Sequence, residues 1–106
     1  MKQPLVVLVD HWTGSMGEGL AIGLDAAKRA TIVGTKMAGL LGGTADFTLP
    51  HTGVPLSFPV ERLYHVNGTP REDFKPTVWL DPTDPNGSDG ILGAGVDELK
   101  AKIAGQ

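Results

Sequence analysis

The chain has 106 residues and a mass of 11.1 kDa, which predicts a single domain over residues 1–106. Its apolar share of 41% and charged share of 20% are ordinary for a folded protein and exclude a disordered chain. The net charge of -3 argues against a nucleic acid partner, and the absence of cysteine excludes disulfides, thiolate metal sites and cysteine nucleophiles.

The first third of the chain has the pattern of a strand, a turn, a helix and a second strand. Residues 4–10 are a continuous apolar run, typical of a strand buried on both faces in a parallel sheet. Residues 15–30 are helical in pattern, and residues 31–34 form a second short apolar strand. Together these elements predict a βαβ unit with parallel strands. The apolar stripe expected to face the sheet consists of Met16, Leu20, Leu24 and Ala27.

The remaining residues predict further short strands and a terminal helix. Residues 54–60 alternate in polarity, which predicts a half-buried strand, and its two prolines favour a sheet edge. Residues 77–80 predict another strand, residues 81–90 a loop and residues 96–103 a short amphipathic helix. The predicted fold class is therefore α/β, with a small mixed sheet, the first helix on one face and a C-terminal helix.

One serine lies where the first predicted strand passes into the helix. A hydroxyl at that point reaches the carboxyl edge of a sheet, where open α/β folds bind their ligands, and unpaired N–H groups of the helix start face the same place. Ser15 is therefore a candidate nucleophile, although the local sequence differs from the G-x-S-x-G elbow of hydrolases. The structural alternative is a capping box, since Ser15 and Glu18 fit the S-x-x-E pattern.

Several features follow one another in a characteristic order. A buried strand leads to a small-residue turn with Ser15, then come Glu18, a helix, a strand ending in Val33-Gly34 and a glycine-rich loop at residues 39–43. This order resembles the catalytic core of the C-terminal processing (tail-specific) serine peptidases. With matches further along, the resemblance covers residues 4–80, and the C-terminal helix is similar to that of the tricorn-like branch. It implies a ClpP/crotonase-like core, of which this chain looks like the C-terminal half.

The resemblance implies a serine peptidase with Ser15 as the nucleophile and the backbone N–H of Met16 as an oxyanion donor. In the processing peptidases a lysine of the glycine-rich loop is the general base, and the matching position here is Leu40. Lys36 lies four residues too early to take that role. The catalytic set is incomplete, so we expect little or no peptidase activity from the chain alone, and whether it is an enzyme stays open.

The tricorn-like branch implies accessory residues of another kind. It uses a histidine from an upstream segment, which we expect this chain to lack, and an acidic residue downstream of the serine. The downstream position falls near His65 or, more loosely, at Glu72 or Asp73. His65 and Glu72 are therefore the accessory candidates.

The alternative function is a non-catalytic interaction module that binds peptides or associates with itself. Unpaired sheet edges and apolar surfaces recruit strands from peptides or from a second copy. We therefore expect a peptide or unfolded segment as ligand, and a homodimer or a complementing N-terminal peptidase segment as partner, with neither nucleic acid nor membrane involved. The sequence shows neither a signal peptide nor a membrane-spanning run, which predicts a cytoplasmic chain.

The sequence patterns of metal-binding and cofactor-binding sites are weak in this chain, so we predict neither a metal nor a cofactor. His51 and His65 lack the spacing of a zinc site, and residues 39–43 lack the Lys-[Ser/Thr] of a phosphate loop. The order of an EF-hand is not met in the loop at residues 81–90. The calcium candidates there are Asp81, Asp84, Asn86 and Asp89.

A local relay of Asp10, His11 and Ser15 is the remaining catalytic alternative. Neighbouring residues on a strand point to opposite faces, which argues against Asp10 orienting His11. The histidine is interpreted as a turn residue.

Overall fold

The structure is a computed structural model that describes residues 3–83 and 87–105. Its regular elements, in chain order, are β1 (Val6–Val9), α1 (Met16–Ala26), β2 (Thr31–Gly34), β3 (Thr44–Thr48), β4 (Pro55–Pro59), a 3-10 turn (Arg71–Asp73), β5 (Val78–Trp79) and α2 (Gly87–Ala104).

The predicted βαβ unit is confirmed. β1 pairs in parallel with β2, so that Val6 lies opposite Thr31, and β5 joins the other side of β2 in parallel, with Val33 opposite Val78. The sheet order is therefore β1-β2-β5. The α/β fold class is confirmed, and the structure refines it: the parallel and antiparallel strands lie in two separate small sheets, because β3 and β4, among the described residues, pair only with each other.

The two helices cover opposite faces of the parallel sheet. On the α1 face, one core cluster joins the sheet to the helix and to the loop that follows the 3-10 turn. On the α2 face, Val6 and Leu8 lie so close to Gly95 that a Cβ there would clash with Leu8, which explains the glycine. The core cluster of the α1 face consists of Val9, Ala21, Ile22, Ile32, Met37 and Phe74.

The predicted buried stripe of α1 is wrong. Met16 is 84% exposed and Leu20 is 64% exposed, whereas Glu18, Ala21 and Ile22 are buried. The buried positions still follow helical spacing, but on a face whose first member is a carboxylate. The hydrophobic pattern predicted the wrong buried face of α1. It could not show that Glu18 is buried, because the N–H groups that bind its carboxylate lie in a loop distant in sequence.

The ribbon, as we call the antiparallel pair β3 and β4, projects away from the parallel sheet. The strand at residues 54–60 exists, but the prediction that it is half-buried is wrong, because all five residues of β4 are exposed. The radius of gyration is 17.1 Å. A compact chain of this length has a radius of gyration of about 13 Å. The ribbon thus lacks a covering layer in the described part of the chain.

The C-terminal helix is longer than the sequence predicted. α2 begins at Gly87, within the segment expected to be a loop, and runs for 18 residues. Of the calcium candidates, Asp84 and Asn86 lie outside the described residues, and Asp81 accepts hydrogen bonds from both the N–H and the hydroxyl of Thr83. Among the helices described, none is both long and apolar enough to cross a membrane.

Candidate active site

A tight turn connects the end of β1 to the start of α1 and places Ser15 there. The N–H of Thr13 donates to the carbonyl of Asp10 at 2.9 Å, and the N–H of Trp12 donates to the Asp10 carboxylate at 2.8 Å. The chain is therefore reversed within four residues of leaving the sheet. Ser15 follows as the N-cap of α1 and is exposed.

The backbone of Ser15 is strained. Its φ of 53° and ψ of -116° lie in a region that residues with a side chain rarely adopt, at a cost of about 1–3 kcal/mol. A serine on a sharp, strained strand-to-helix turn is the arrangement that exposes the nucleophile of many hydrolases. The turn therefore has the backbone form of a nucleophile elbow without its sequence.

The buried carboxylate of Glu18 holds this turn in place. Its Oε2 accepts the N–H of Ser15 at 2.9 Å, as the capping box predicts, and its Oε1 accepts the N–H of Gly39 at 2.7 Å. The N–H of Leu40 donates to Oε2 at 3.3 Å, and Arg71 Nη2 lies 3.7 Å from the same oxygen. Glu18 is 0% exposed, so these donors compensate a charge that burial would otherwise make costly.

The loop at residues 38–41 is thereby fixed against the serine turn. The N–H of Ala38 donates to the carbonyl of Thr13 at 2.9 Å, and Gly39 adopts a φ of 75° that favours glycine. Arg71, itself buried, donates from Nε to the carbonyl of Leu40 at 2.6 Å. Leu40 is 49% exposed, and its side chain lies against Gly14.

Sequence reasoning gave Arg71 no role, and it took Glu18 as a helix cap and as one feature of the order that resembles the family. The missed signal was Glu18 itself. A carboxylate on the inner face of a helix requires a cation and several N–H donors, and these come from residues 21 to 53 positions later in the chain.

His65 lies far from the serine. Its Nδ1 accepts the N–H of Asn67 at 3.0 Å, so its Nε2 carries the proton that bonds Asp25 Oδ2 at 2.9 Å. The ring is only 8% exposed and stacks on Phe74. Asp25 and Ser15 are ten residues apart along one helix, which corresponds to about 15 Å. The structure therefore ties His65 to the far end of α1 rather than to Ser15.

Glu72, the second accessory candidate, lies closer to the site. Its Cβ is 3.9 Å from the point that a Cβ at Gly39 would occupy, so it borders the 38–41 loop. Its carboxylate is paired with Arg62, whose Nε donates to Oε1 at 2.8 Å. Asp73, the looser alternative, is exposed in the 3-10 turn.

The local relay of Asp10, His11 and Ser15 gains no geometric support. The Asp10 carboxylate accepts the N–H of Trp12, and the ring of His11 lies 4.9 Å from that of Trp12. Asp10 thus shapes the turn, and His11 is placed at the rim of a cavity.

That cavity, of about 410 Å³, opens at the carboxyl ends of all three parallel strands. Its walls include His11 after β1, Lys36 after β2, Asp81 after β5 and Ile91 of α2. Open α/β folds bind ligands at this edge of the sheet. Ala38 borders both the cavity and Gly14, so the cavity adjoins the serine turn.

The comparisons with known proteins agree with this geometry. The sequence pattern of peptidase family S41 matches residues 1–79. The solved structure of mature CPAF has a TM-score of 0.67 and 25% identity over 96% of this chain. The photosystem II D1 C-terminal processing protease has a TM-score of 0.56 and 30% identity over 87% of this chain. The chain spans 19% and 24% of those two structures, and a search of curated protein sequences gave no match.

Proposed function

Because the chain belongs to peptidase family S41, we propose that residues 1–106 form one serine peptidase core domain with Ser15 as the nucleophile. The observation that carries the proposal is the exposed Ser15 on a strained turn at the carboxyl edge of the parallel sheet. Met16 is the first residue of α1, so its N–H has no partner within the helix and serves as an oxyanion donor. The substrate class is a peptide.

The proposed reaction is acyl transfer followed by hydrolysis. Ser15 Oγ attacks the scissile carbonyl carbon while its proton passes to a base, and the carbonyl electron pair moves onto the oxygen near the Met16 N–H. Collapse of this adduct expels the amine, which takes the proton from the base. Water then hydrolyses the acyl-serine by the same steps.

This chain has no general base at position 40, where the resemblance to the family places one. Leu40 has no proton acceptor, and His65 is engaged with Asp25. Loss of one triad member lowers the rate of a serine peptidase by roughly 10⁴-fold or more. We therefore expect negligible peptidase activity from the chain alone, with the base either supplied by a complementing N-terminal peptidase segment or lost.

A fluorophosphonate probe tests the assignment of Ser15. We expect negligible labelling of the wild-type chain and clear labelling of Leu40→Lys, which puts a base where the family has one. The double variant Ser15→Ala/Leu40→Lys is the control and should show none. Strong wild-type labelling that Ser15→Ala abolishes would disprove the inactivity, and an unlabelled but folded Leu40→Lys would disprove the nucleophile.

The second candidate function is a non-catalytic module that binds peptides or associates with itself. The exposed apolar side chains near the serine turn favour this second function. Trp12 is 83% exposed, Met16 is 84% exposed and Leu20 is 64% exposed. Apolar surface of this kind is typical of interaction sites. Titration of Leu40→Lys with an unfolded polypeptide separates the two functions, because this variant supplies a base: binding with neither turnover nor probe labelling in it supports the module.

A further inference from the structure

The ribbon has one apolar face. In its register Phe47 lies opposite Leu56 and Ala45 opposite Phe58, so all four side chains point to the same side. The rings of Phe47 and Phe58 stack with centroids 4.8 Å apart. The same face continues past the strand ends, and its members are Ala45, Phe47, Leu49, Val54, Leu56, Phe58 and Val60.

This face is open to solvent. Leu56 is 39% exposed, Phe47 and Phe58 are each 46% exposed, and Val60 is 53% exposed. A ribbon of two strands is at best marginally stable in water without a covering layer. The described part of the chain does not provide one, so a covering layer has to come from outside the described residues.

Charge permits a second copy to be that cover. Residues 44–60 contain a single Asp, Glu, Lys or Arg residue, Asp46, although 20% of the chain is charged. Asp46 lies on the opposite, polar face with Ser57. Two apolar faces can therefore meet without bringing like charges together.

The outer edge of β4 is closed to strand addition. Leu49 N–H donates to the carbonyl of Val54, and Val60 N–H donates to that of Gly43, so the alternate positions point away from β3. Those positions are Pro55, Ser57 and Pro59, and the two prolines have no N–H to offer. A partner must therefore cover the ribbon face to face and not extend it at this edge.

We propose that the apolar face of the ribbon is the surface through which two copies of this chain form a two-fold dimer. Packed face to face at about 10 Å, the two ribbons make a small β-sandwich with the stacked phenylalanines in its core. The seven apolar side chains offer on the order of 500 Å² per copy, more than half of the roughly 800 Å² that a stable interface buries on each side. A polar rim supplies the rest.

The proposal deepens the self-association named above by assigning its surface, and it does not depend on the role of Ser15. Failure of the fluorophosphonate test would leave the dimer intact. Failure of the dimer would leave Ser15 labelling in Leu40→Lys unchanged. The two proposals are therefore tested separately.

Light scattering after size-exclusion chromatography of the full chain is the test. At high micromolar concentration we expect twice the chain mass of 11.1 kDa. Phe47→Asp places a carboxylate in the interface and should weaken the dimer by about 100-fold or more. Thr48→Asp is the matched control, since it adds the same charge to the neighbouring position on the polar face, and it should remain dimeric.

Alkylation of introduced cysteines provides a second measurement, because the chain has none of its own. Leu56→Cys on the apolar face should react more slowly with a maleimide as protein concentration rises, whereas Ser57→Cys should react at a constant rate. A monomeric wild-type chain, equal effects of the two aspartate variants, or concentration-independent alkylation of Leu56→Cys would overturn the proposal. If the wild-type chain were a monomer, a different polypeptide would be the candidate that covers this face.

Discussion

The side chain of Leu40 lies against Gly14, the residue before Ser15, with its Cδ1 atom 3.4 Å from the point that a Cβ at Gly14 would occupy. The backbone of position 40 is held from two sides, because its N–H donates to Glu18 and its carbonyl accepts from Arg71. A side chain at this position is therefore aimed at the serine turn. Under the proposed function, this is the position that the resemblance matches to the basic lysine of the family, and here it holds a leucine.

The pH dependence of Leu40→Lys follows from this placement. Only the neutral amine accepts the proton of Ser15, so the fluorophosphonate labelling rate should rise about tenfold per pH unit below the lysine pKa. Leu40→Arg carries the same charge but does not lose its proton in the accessible pH range, so it should stay unlabelled at every pH. Equal labelling of the two variants would show that position 40 acts by charge and not as a base.

Glu18 links the serine turn to the 38–41 loop, and its replacement should loosen both. Glu18→Gln removes the buried charge beside Arg71 and turns an amide NH₂ toward backbone N–H donors. We expect a loss of about 3 kcal/mol in the free energy of unfolding, measured by urea denaturation. Glu98→Gln is the matched control, because Glu98 forms a partly exposed pair with Lys102 and should cost less than about 0.5 kcal/mol.

Amide exchange of Gly39 and Leu40 reports the local effect of Glu18→Gln. Both N–H groups lose their charged acceptor in the variant and should exchange faster under native conditions. Unchanged exchange at these two amides, in a protein that has lost stability, would show that Glu18 stabilises the fold without fixing the loop.

The local elements were predictable from sequence because their signals are local. The apolar run before the serine and the short run after the helix predicted two parallel strands, and the S-x-x-E spacing predicted the bond from Ser15 N–H to Glu18. The strain at Ser15 was not visible, since nothing in the composition of the turn reports a φ of 53°.

Burial was predicted less well because it depends on distant partners. The alternation of residues 54–60 identified a strand, but alternation cannot say whether a covering layer exists. The apolar residues Met16 and Leu20 suggested an inner face for α1, while the inner face is set by Glu18 and by donors in two later loops. His65 was named as an accessory candidate by resemblance, because the downstream position of the tricorn-like branch falls near it, whereas its bond to Asp25 puts it at the other end of the helix.

His65 should contribute to stability and not to reactivity. His65→Phe keeps an aromatic ring against Phe74 but removes the acceptor of the Asn67 N–H and the donor to Asp25. We expect a loss of about 1–3 kcal/mol in the free energy of unfolding. His51→Phe, in an exposed turn, is the control and should change stability by less than about 0.5 kcal/mol.

The same substitution separates structure from catalysis when it is made in Leu40→Lys. Because His65 is bonded to Asp25, which lies about 15 Å along the helix from Ser15, the labelling rate of the folded fraction should be unchanged. A large drop in that rate, with the fold retained, would contradict the structural role of His65.

Glu72 should make the stability of the chain depend on pH in the acid range. Its own backbone N–H, followed by the hydrogen bond and charge of Arg62, holds the pKa of Glu72 below its ordinary value of 4.5, against an opposing effect of burial. Between the folded and unfolded pKa values the unfolded chain binds more protons, so the free energy of unfolding rises with pH. The contribution is complete above pH 4.5 and is lost as the pH falls through the lower, folded pKa.

Urea midpoints measured across this range test the effect of Glu72. Glu72→Gln cannot titrate, so its midpoint should fall less steeply than that of the wild type as the pH drops below 4.5. Arg62→Gln removes the charged partner and should flatten the same part of the profile, because the Glu72 pKa then returns toward its ordinary value. Arg62 is 53% exposed, so added salt should weaken the difference as well. Parallel profiles of wild type and Glu72→Gln would show that the pKa of Glu72 is the same in the folded and the unfolded chain.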